Sequence, residues 1–247
     1  MASRGFSLVL AVAKGEDEEE AATKKLLGMG AEAFILSGAR HNTLMIELLR
    51  RLGVPFAFTS VWDSDNASPT IGYDNAAIAY DAIRYLADKG HRYISVLHGP
   101  LDESDRTVLR LDGAKRAVGK NLHLSTFEAE ISVAAGKGAT RDILRDHGQT
   151  TAILCFSDVL ALGAFSALTV AKKQVPSDIS VMGFDNLSWS KDIEPPLTTF
   201  DLPAEEMGAA AGTQIADHLE FGNQIHHQLL DCNLIERGSV RDLSARG

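Results

Sequence analysis

The stretch Ile179–Leu202, ISVMGFDNLSWSKDIEPPLTTFDL, decides how the rest of the chain is read. Its first six residues, Ile179 to Phe184, are apolar without polar alternation, which predicts a strand buried on both faces of a parallel sheet. The strand runs out on Asp185-Asn186, placing a carboxylate and an amide where open α/β sheets bind ligands, beyond the carboxyl ends of strands. After a polar loop, Pro195-Pro196 excludes helix and forces an extended path. Leu197 to Phe200 then reads as a short β segment, and Pro203 opens a helix at Ala204. A strand, a polar corner and a stiff crossing together predict a hinge beside a binding site.

Outward from this stretch, apolar runs and helical segments alternate. Strands are predicted at Phe6–Ala13, Ala33–Ser37, Val54–Thr59 and Thr70–Tyr73, and then near Arg92–His98, His123–Phe127 and Thr151–Phe156. Helices are predicted at Glu16–Leu27, at Asn42–Leu52 with Asn42 as cap and Gly53 as stop, and from Asp74 or Asn75 to Lys89. More follow near Ser104–Val118, Ala134–Asp146, Asp158–Lys172 and Ala204–Phe221. A last strand or strand pair falls within Gln224–Ile235, and Gly238–Gly247 reads as a frayed tail. Alternating βα units with apolar strands predict doubly wound parallel sheets, hence an α/β fold. The second set has four strands and three helices, the first only three core strands and two helices. If the two are duplicate lobes, Met1–Gly5 is the end of a helix, and a βα unit of roughly 25–30 residues is missing ahead of it.

Composition narrows the function. The chain has 247 residues, 45% hydrophobic and 23% charged, with a net charge of −9, so it does not itself bind nucleic acid or an anionic membrane. Two cysteines, Cys155 and Cys232, do not make a disulfide framework, which favours a reducing compartment. No apolar run of about 18 residues is present and the N-terminus lacks signal-peptide character, so a cytoplasmic location is expected. The eight histidines show no metal-ligand spacing and read as solvated surface. No nucleophile elbow, phosphate loop or dinucleotide fingerprint is found, which argues against an enzyme. Neither a cofactor nor a metal is expected.

Several stretches carry a family likeness. PSDISVMGFDN with PPLTTFDLPAEEMG, TIGYDNAAIAYDAIRYLADKGHRYISVLHGP, Arg110-Leu-Asp-Gly113 and TAILCFSDVLALGAFSAL together resemble the effector-binding core of the LacI/GalR family of bacterial transcriptional repressors. The resemblance spans about residues 5–239. It implies a periplasmic-binding-protein-like fold of two Rossmann-like lobes, three crossovers and a ligand cleft between the lobes. The lobes would be 1–73 with 201–229, and 74–200 with 230–239, leaving 240–247 as a flexible tail. The family's N-terminal helix-turn-helix is not in this sequence, so operator DNA would be met only through a headpiece outside it. A homodimer is implied. A sugar or similar small polar effector would alter lobe angle and the DNA affinity of the full-length regulator. The runner-up is a solute-binding protein of a sugar transport system.

The candidate ligand contacts follow from position and resemblance together. Asp185 is a cleft carboxylate for ligand hydroxyls; as a bare strand-end aspartate it could equally bond its own turn. Ser157-Asp158 opens a helix after a buried strand, one residue serving as cap and the other, Asp158, facing the ligand. Arg110, on a helix whose apolar face is Val108, Leu111, Ala114 and Val118, would alone be a solvated arginine paired with Asp112 or Glu103. The R-x-x-G match makes it a forked donor to ligand oxygens. Ser37, Ser60, Tyr73 and Asp74 end strands of the first lobe and would line the opposing wall. Ile131 stands where the family often has an aromatic, and Ser60 and Ser157 also depart from the family pattern. Trp189 could cover a sugar face, plug the hinge or make a dimer contact.

Overall fold

The computed structural model describes residues 4–13 and 15–244. In chain order the elements are α1 (Glu16–Gly28), β1 (Phe34–Ser37), α2 (Thr43–Leu52), β2 (Phe56–Thr59), β3 (Thr70–Gly72), α3 (Asn75–Asp88) and β4 (Tyr93–His98). They continue with α4 (Asp105–Arg116), β5 (His123–Glu128), α5 (Val133–Asp146), β6 (Ala152–Cys155), α6 (Asp158–Val170), β7 (Ser180–Phe184) and β8 (Thr198–Asp201). The last are α7 (Ala204–Phe221), β9 (Gln228–Leu229) and β10 (Asn233–Ile235); a single 3-10 turn, Ser188–Lys191, lies between β7 and β8. The chain divides into two compact units, residues 1–74 with 203–231 and residues 75–202 with 232–247.

The first unit is built on a parallel sheet in the order β1-β2-β3-β9. One face is closed by Met45, Ile46 and Leu49 of α2 over Phe34, Phe56 and Phe58, with Leu26 and Leu27 of α1 at the margin. The other face is closed by Ala211 and Ile215 of α7 over Ala57 and Ile71. Local chemistry sets α2: Asn42 accepts the Met45 amide at 3.1 Å, and Gly53 ends the helix at φ +67.

The second unit carries a six-stranded sheet, β10-β8-β7-β6-β4-β5, parallel except for β10. Strands β6 and β7 are buried along their whole length, as their unbroken apolar runs predict. Leu97, Ile153, Val181, Leu160, Ile143 and Leu197 form the apolar cluster between this sheet and α5 and α6.

Four expectations need correction. Residues 6–13 form no strand; among the described residues they have no ladder partner, and an extended segment without one gains nothing from its β propensity. The crossing expected between residues 200 and 201 falls two residues later, at Leu202/Pro203, because β8 pairs with β7 through Phe200 and with β10 through Asp201. Residues 238–244 are not a frayed tail: Ser239 is fully buried, its hydroxyl donates to the Val181 carbonyl at 2.6 Å, and the Leu243 amide bonds the Lys89 carbonyl at 2.7 Å. The remainder of that predicted tail, 245–247, lies outside the described residues, as do Met1–Ser3 of the proposed helix end. His91 and His98 are buried rather than solvated; burial pushes the His91 imidazole down to about 4.

Candidate functional site

The carboxyl edge of the second unit's parallel strands gathers most of the predicted residues. β7 delivers Asp185 directly after Phe184, and both Asp185 (φ +115) and Asn186 (φ +51) lie in the left-handed region, which non-glycine residues avoid. Such a conformation costs on the order of 1–3 kcal/mol per residue and persists only where the surroundings enforce it. Here the Asp185 amide donates to the Phe200 carbonyl (3.0 Å), while its Oδ2 accepts from Ser157 Oγ (2.9 Å) and from the Asp158 amide (3.3 Å). Burial raises the Asp185 pKa, against the pull of the Arg110 guanidinium and the two hydrogen bonds. Both of these bonds fall on Oδ2.

Arg110 reaches this corner from α4. The buried face of that helix is Arg110, Leu111, Gly113 and Ala114, whereas Val108 and Val118 are exposed, correcting the face predicted from sequence. The helix turns Arg110 inward because Gly113 allows close approach to α3: a Cβ at Gly113 would stand 1.9 Å from the Ala76 carbonyl oxygen. Arg110 Nε donates to Asn75 Oδ1 and Nη1 to the Phe156 carbonyl, both at 2.9 Å, and the guanidinium lies 5.0 Å from the centre of the Phe184 ring. Asp112, a partner expected for it from sequence, bonds Arg116.

Asp158 sits differently from its neighbour. It is fully buried, Oδ1 accepting from Thr199 Oγ1 (2.8 Å) and Oδ2 from the Leu187 amide (2.9 Å). Its carboxyl therefore ties α6 to the loop after β7 and to β8. Burial pushes its pKa up to about 7. Gly183 makes room for it, since a Cβ there would fall 2.1 Å from Oδ1. Ser157 caps α6 by accepting the Val159 amide at 3.2 Å. Trp189 packs against the apolar cluster under the sheet, and Ile131 is half exposed, its side chain lying over Gly99 at the end of β4.

In the first unit, Ser37 ends β1 while Ser60 and Tyr73-Asp74 follow β2 and β3, so all share one edge of that sheet. Ser37 and Asp74 are exposed and Tyr73 is buried. Ser60 has φ +65, with its amide 3.0 Å from Met207 Sδ.

Sequence reasoning missed Arg237 and Thr199. Arg237 donates to Asn186 Oδ1 (2.6 Å), the Leu197 carbonyl (2.7 Å) and Ser190 Oγ (3.0 Å), clamping the crossing onto the corner. Asn186 in turn donates to Asp201 Oδ1 at 3.0 Å. No local pattern marks an arginine whose partners lie roughly 40–50 positions upstream; only the separation-blind chemistry of the fold brings them together. Among the described residues no group of three or more His, Cys, Asp and Glu is arranged to hold a metal ion, and no helix is long and apolar enough to cross a membrane.

Comparison with known proteins gives the family. The family described as periplasmic binding protein-like domain matches residues 83–240, most of the chain. The chain belongs to this family. Its relatives in it are LacI-type repressors. The repressor CytR of Escherichia coli K12 is 34% identical over 228 residues, covering 90% of this chain. The ribose operon repressor of the same strain is 29% identical over 247 residues, covering 96% of this chain and 74% of that protein. This periplasmic binding protein-like chain spans only 64% of the length of CytR. A LacI family transcriptional regulator from Enterococcus faecium, solved with bound ribose, superposes with a TM-score of 0.85 at 25% identity, over 98% of this chain and 90% of that one.

Proposed function

We propose that this chain is the ligand-sensing domain of a LacI-type transcriptional regulator and that its effector is a small polyhydroxylated molecule, a sugar or sugar derivative. The observation that carries the proposal is Asp185, held at φ +115 by Ser157 and Asp158 beside the buried Arg110. Backbone strain retained at a strand's carboxyl end, together with a carboxylate and a guanidinium, is an arrangement for fixed hydroxyl recognition. The relatives support it: one is a ribose operon repressor, and one was solved with ribose. Ser37, Ser60, Tyr73, Asp74 and Ile131 are assigned to the same task of lining the ligand.

The effector acts by differential affinity for two conformations of the regulator, the only way a ligand can shift such an equilibrium. Operator DNA belongs, in this proposal, to a helix-turn-helix head such as the name of CytR denotes, because the net charge of −9 gives these 247 residues no attraction for phosphates. Homodimerisation of the regulator is part of the same reading. A thermal-shift screen of the chain against pentoses, hexoses, sugar phosphates and nucleosides tests it. One class should raise the melting temperature in the logarithmic, concentration-dependent way that native-state binding requires. A cooperative melt indifferent to every compound would refute the proposal.

A further inference from the structure

Two histidines of the second unit are buried, and they are built differently. His91, just ahead of β4, spends both ring nitrogens inside the unit: Nδ1 meets Thr151 Oγ1 at 2.9 Å and Nε2 the Arg241 carbonyl at 3.2 Å. His98, the last residue of β4, spends one. Its Nδ1 lies 2.8 Å from the Gly99 carbonyl, and no second hydrogen bond to the ring is found among the described residues. A carbonyl only accepts, so the proton sits on Nδ1, and in the neutral ring Nε2 keeps a lone pair with no donor. His98 is nevertheless only 3% exposed. Buried polar groups are as a rule hydrogen-bonded, so an unanswered acceptor here calls for a partner.

The surroundings give that partner a place. Rings follow one another across the sheet: Phe200 lies 5.3 Å from Phe184, Phe184 5.7 Å from Phe156, and Phe156 6.4 Å from His98. The first three positions are apolar, and packing alone would ask the same of the fourth. Rigid backbone holds His98: its carbonyl accepts the Ala129 amide at 2.9 Å, and the Leu97 carbonyl accepts the Phe156 amide at 2.8 Å. Two residues assigned above to the effector flank it. Arg110 bonds the Phe156 carbonyl, and Ile131 lies over Gly99, where a Cβ would stand 2.9 Å from Ile131 Cδ1.

We propose that His98 is a specificity-determining contact for the effector, its Nε2 accepting a hydrogen bond from a hydroxyl or N–H of that molecule. The inference rests on the sensing role proposed above and adds one demand: the effector presents a donor at the end of β4 as well as to Asp185 after β7. A compound that offers only an ether or carbonyl oxygen at the β4 end is rejected, because two acceptors then face each other.

The test uses the 247-residue chain, with D-ribose, D-glucose, D-ribose 5-phosphate and adenosine as probes. Asparagine and glutamine separate the two ring nitrogens. His98→Asn places an amide N–H near the position of Nδ1, keeping the bond to the Gly99 carbonyl and losing the second acceptor. His98→Gln places an oxygen near the position of Nε2 and gives up the bond to Gly99. Both variants are first checked for a cooperative melt. Calorimetric titration of the probe that binds the parent should show a loss of about tenfold or more for His98→Asn and a much smaller one for His98→Gln. A purely structural histidine would give the reverse order in melting temperature and no such order in affinity. Nitrogen-15 spectra should show His98 of the free parent as the Nδ1–H tautomer, with the Nε2 signal moving as that probe is added. The inference is overturned by the Nε2–H tautomer, by an unmoved Nε2 signal at saturation, or by His98→Asn binding as tightly as the parent. Asp185→Asn, titrated alongside, keeps the two readings apart. A probe whose binding falls with Asp185→Asn but ignores both His98 variants refutes this inference alone. Four probes that leave the parent's melt and Nε2 signal unchanged refute the sensing role and the His98 contact together.

Discussion

Replacing Asp158 with asparagine should remove a defined part of the pH dependence of stability. In the folded protein the Asp158 carboxyl titrates at about 7, against 3.8 for the unperturbed group, because it is fully buried between α6, β8 and the loop after β7. The folded state therefore holds a proton that the unfolded state has released throughout the interval from about pH 4 to pH 7. Stability must fall as pH rises across that window, by up to about 1.4 kcal/mol per pH unit, and then level off above it. Over roughly three units the loss is on the order of 3–4 kcal/mol, a large share of the 5–15 kcal/mol typical of a domain. Asparagine fits the site: its oxygen can accept the Leu187 amide and its NH2 can donate to Thr199 Oγ1, whose own hydroxyl then turns to the Phe200 carbonyl 3.4 Å away. Exchanging the protonated carboxyl for an amide in this bonding pattern costs roughly 1 kcal/mol. Asp158→Asn should thus be slightly less stable than the parent at pH 4 and more stable by about 2 kcal/mol at pH 8. Asp185 remains in both proteins, and because its charge is one of the lesser causes that raise the Asp158 pKa, the difference reports Asp158 together with that repulsion. Urea unfolding at unit pH steps checks this, followed through Trp189 in a Trp62→Phe background so that the signal reports the second unit. Parallel stability curves for the two proteins from pH 4 to pH 8 would refute the reasoning.

Gly113→Ala should be poorly tolerated, because its Cβ would meet the Ala76 carbonyl oxygen at 1.9 Å and force α3 and α4 apart. A loss of about 1–3 kcal/mol, roughly 2–10 °C in melting temperature, is expected, and an unchanged melt would contradict the close helix contact. Arg237→Ala removes the donor to Asn186, Leu197 and Ser190 and should cost about 2–4 kcal/mol. Hydrogen exchange should show the Ser190 and Leu197 region opening more than the rest of the second unit. Arg110→Lys keeps the charge but cannot reach Asn75 and Phe156 with one planar fork. In the proposed sensing role it should weaken effector binding about tenfold or more, measured by titration of the folded variant.

Much of this architecture is visible in the sequence, and the failures have physical causes. β6 and β7 announce themselves because a strand covered on both faces is apolar nearly throughout, Ser180 being the one polar residue of the two. α2 shows because its cap and stop, Asn42 and Gly53, act through neighbours three or four residues away. Residues 6–13 have equal β propensity but fail as a strand, since strand formation is a property of a pair and not of a segment. Arg110 illustrates the limit for the site: an arginine in a helix is solvated by default, and its burial follows from Gly113 meeting α3, which periodicity does not record. Asp158 and Asp185 look alike in sequence, each following a buried strand, yet the first bonds through both carboxyl oxygens to Thr199 and Leu187 and the second through Oδ2 to Ser157 and Asp158. Ser239, in a stretch of tail-like composition, is fixed by Val181 and Thr198 from strands far earlier in the chain.

The central claim is that Asp185 is the recognition carboxylate of an effector site. Its most direct test is calorimetric titration of the compound that most raises the melting temperature into the parent chain and into Asp185→Asn, with the fold of the variant verified by its own cooperative melt. A one-site isotherm is expected for the parent, with a loss of about two orders of magnitude in affinity for the variant, the scale of one charge-assisted hydrogen bond removed from a buried site. An isotherm unchanged by the substitution would place the effector elsewhere and contradict the account.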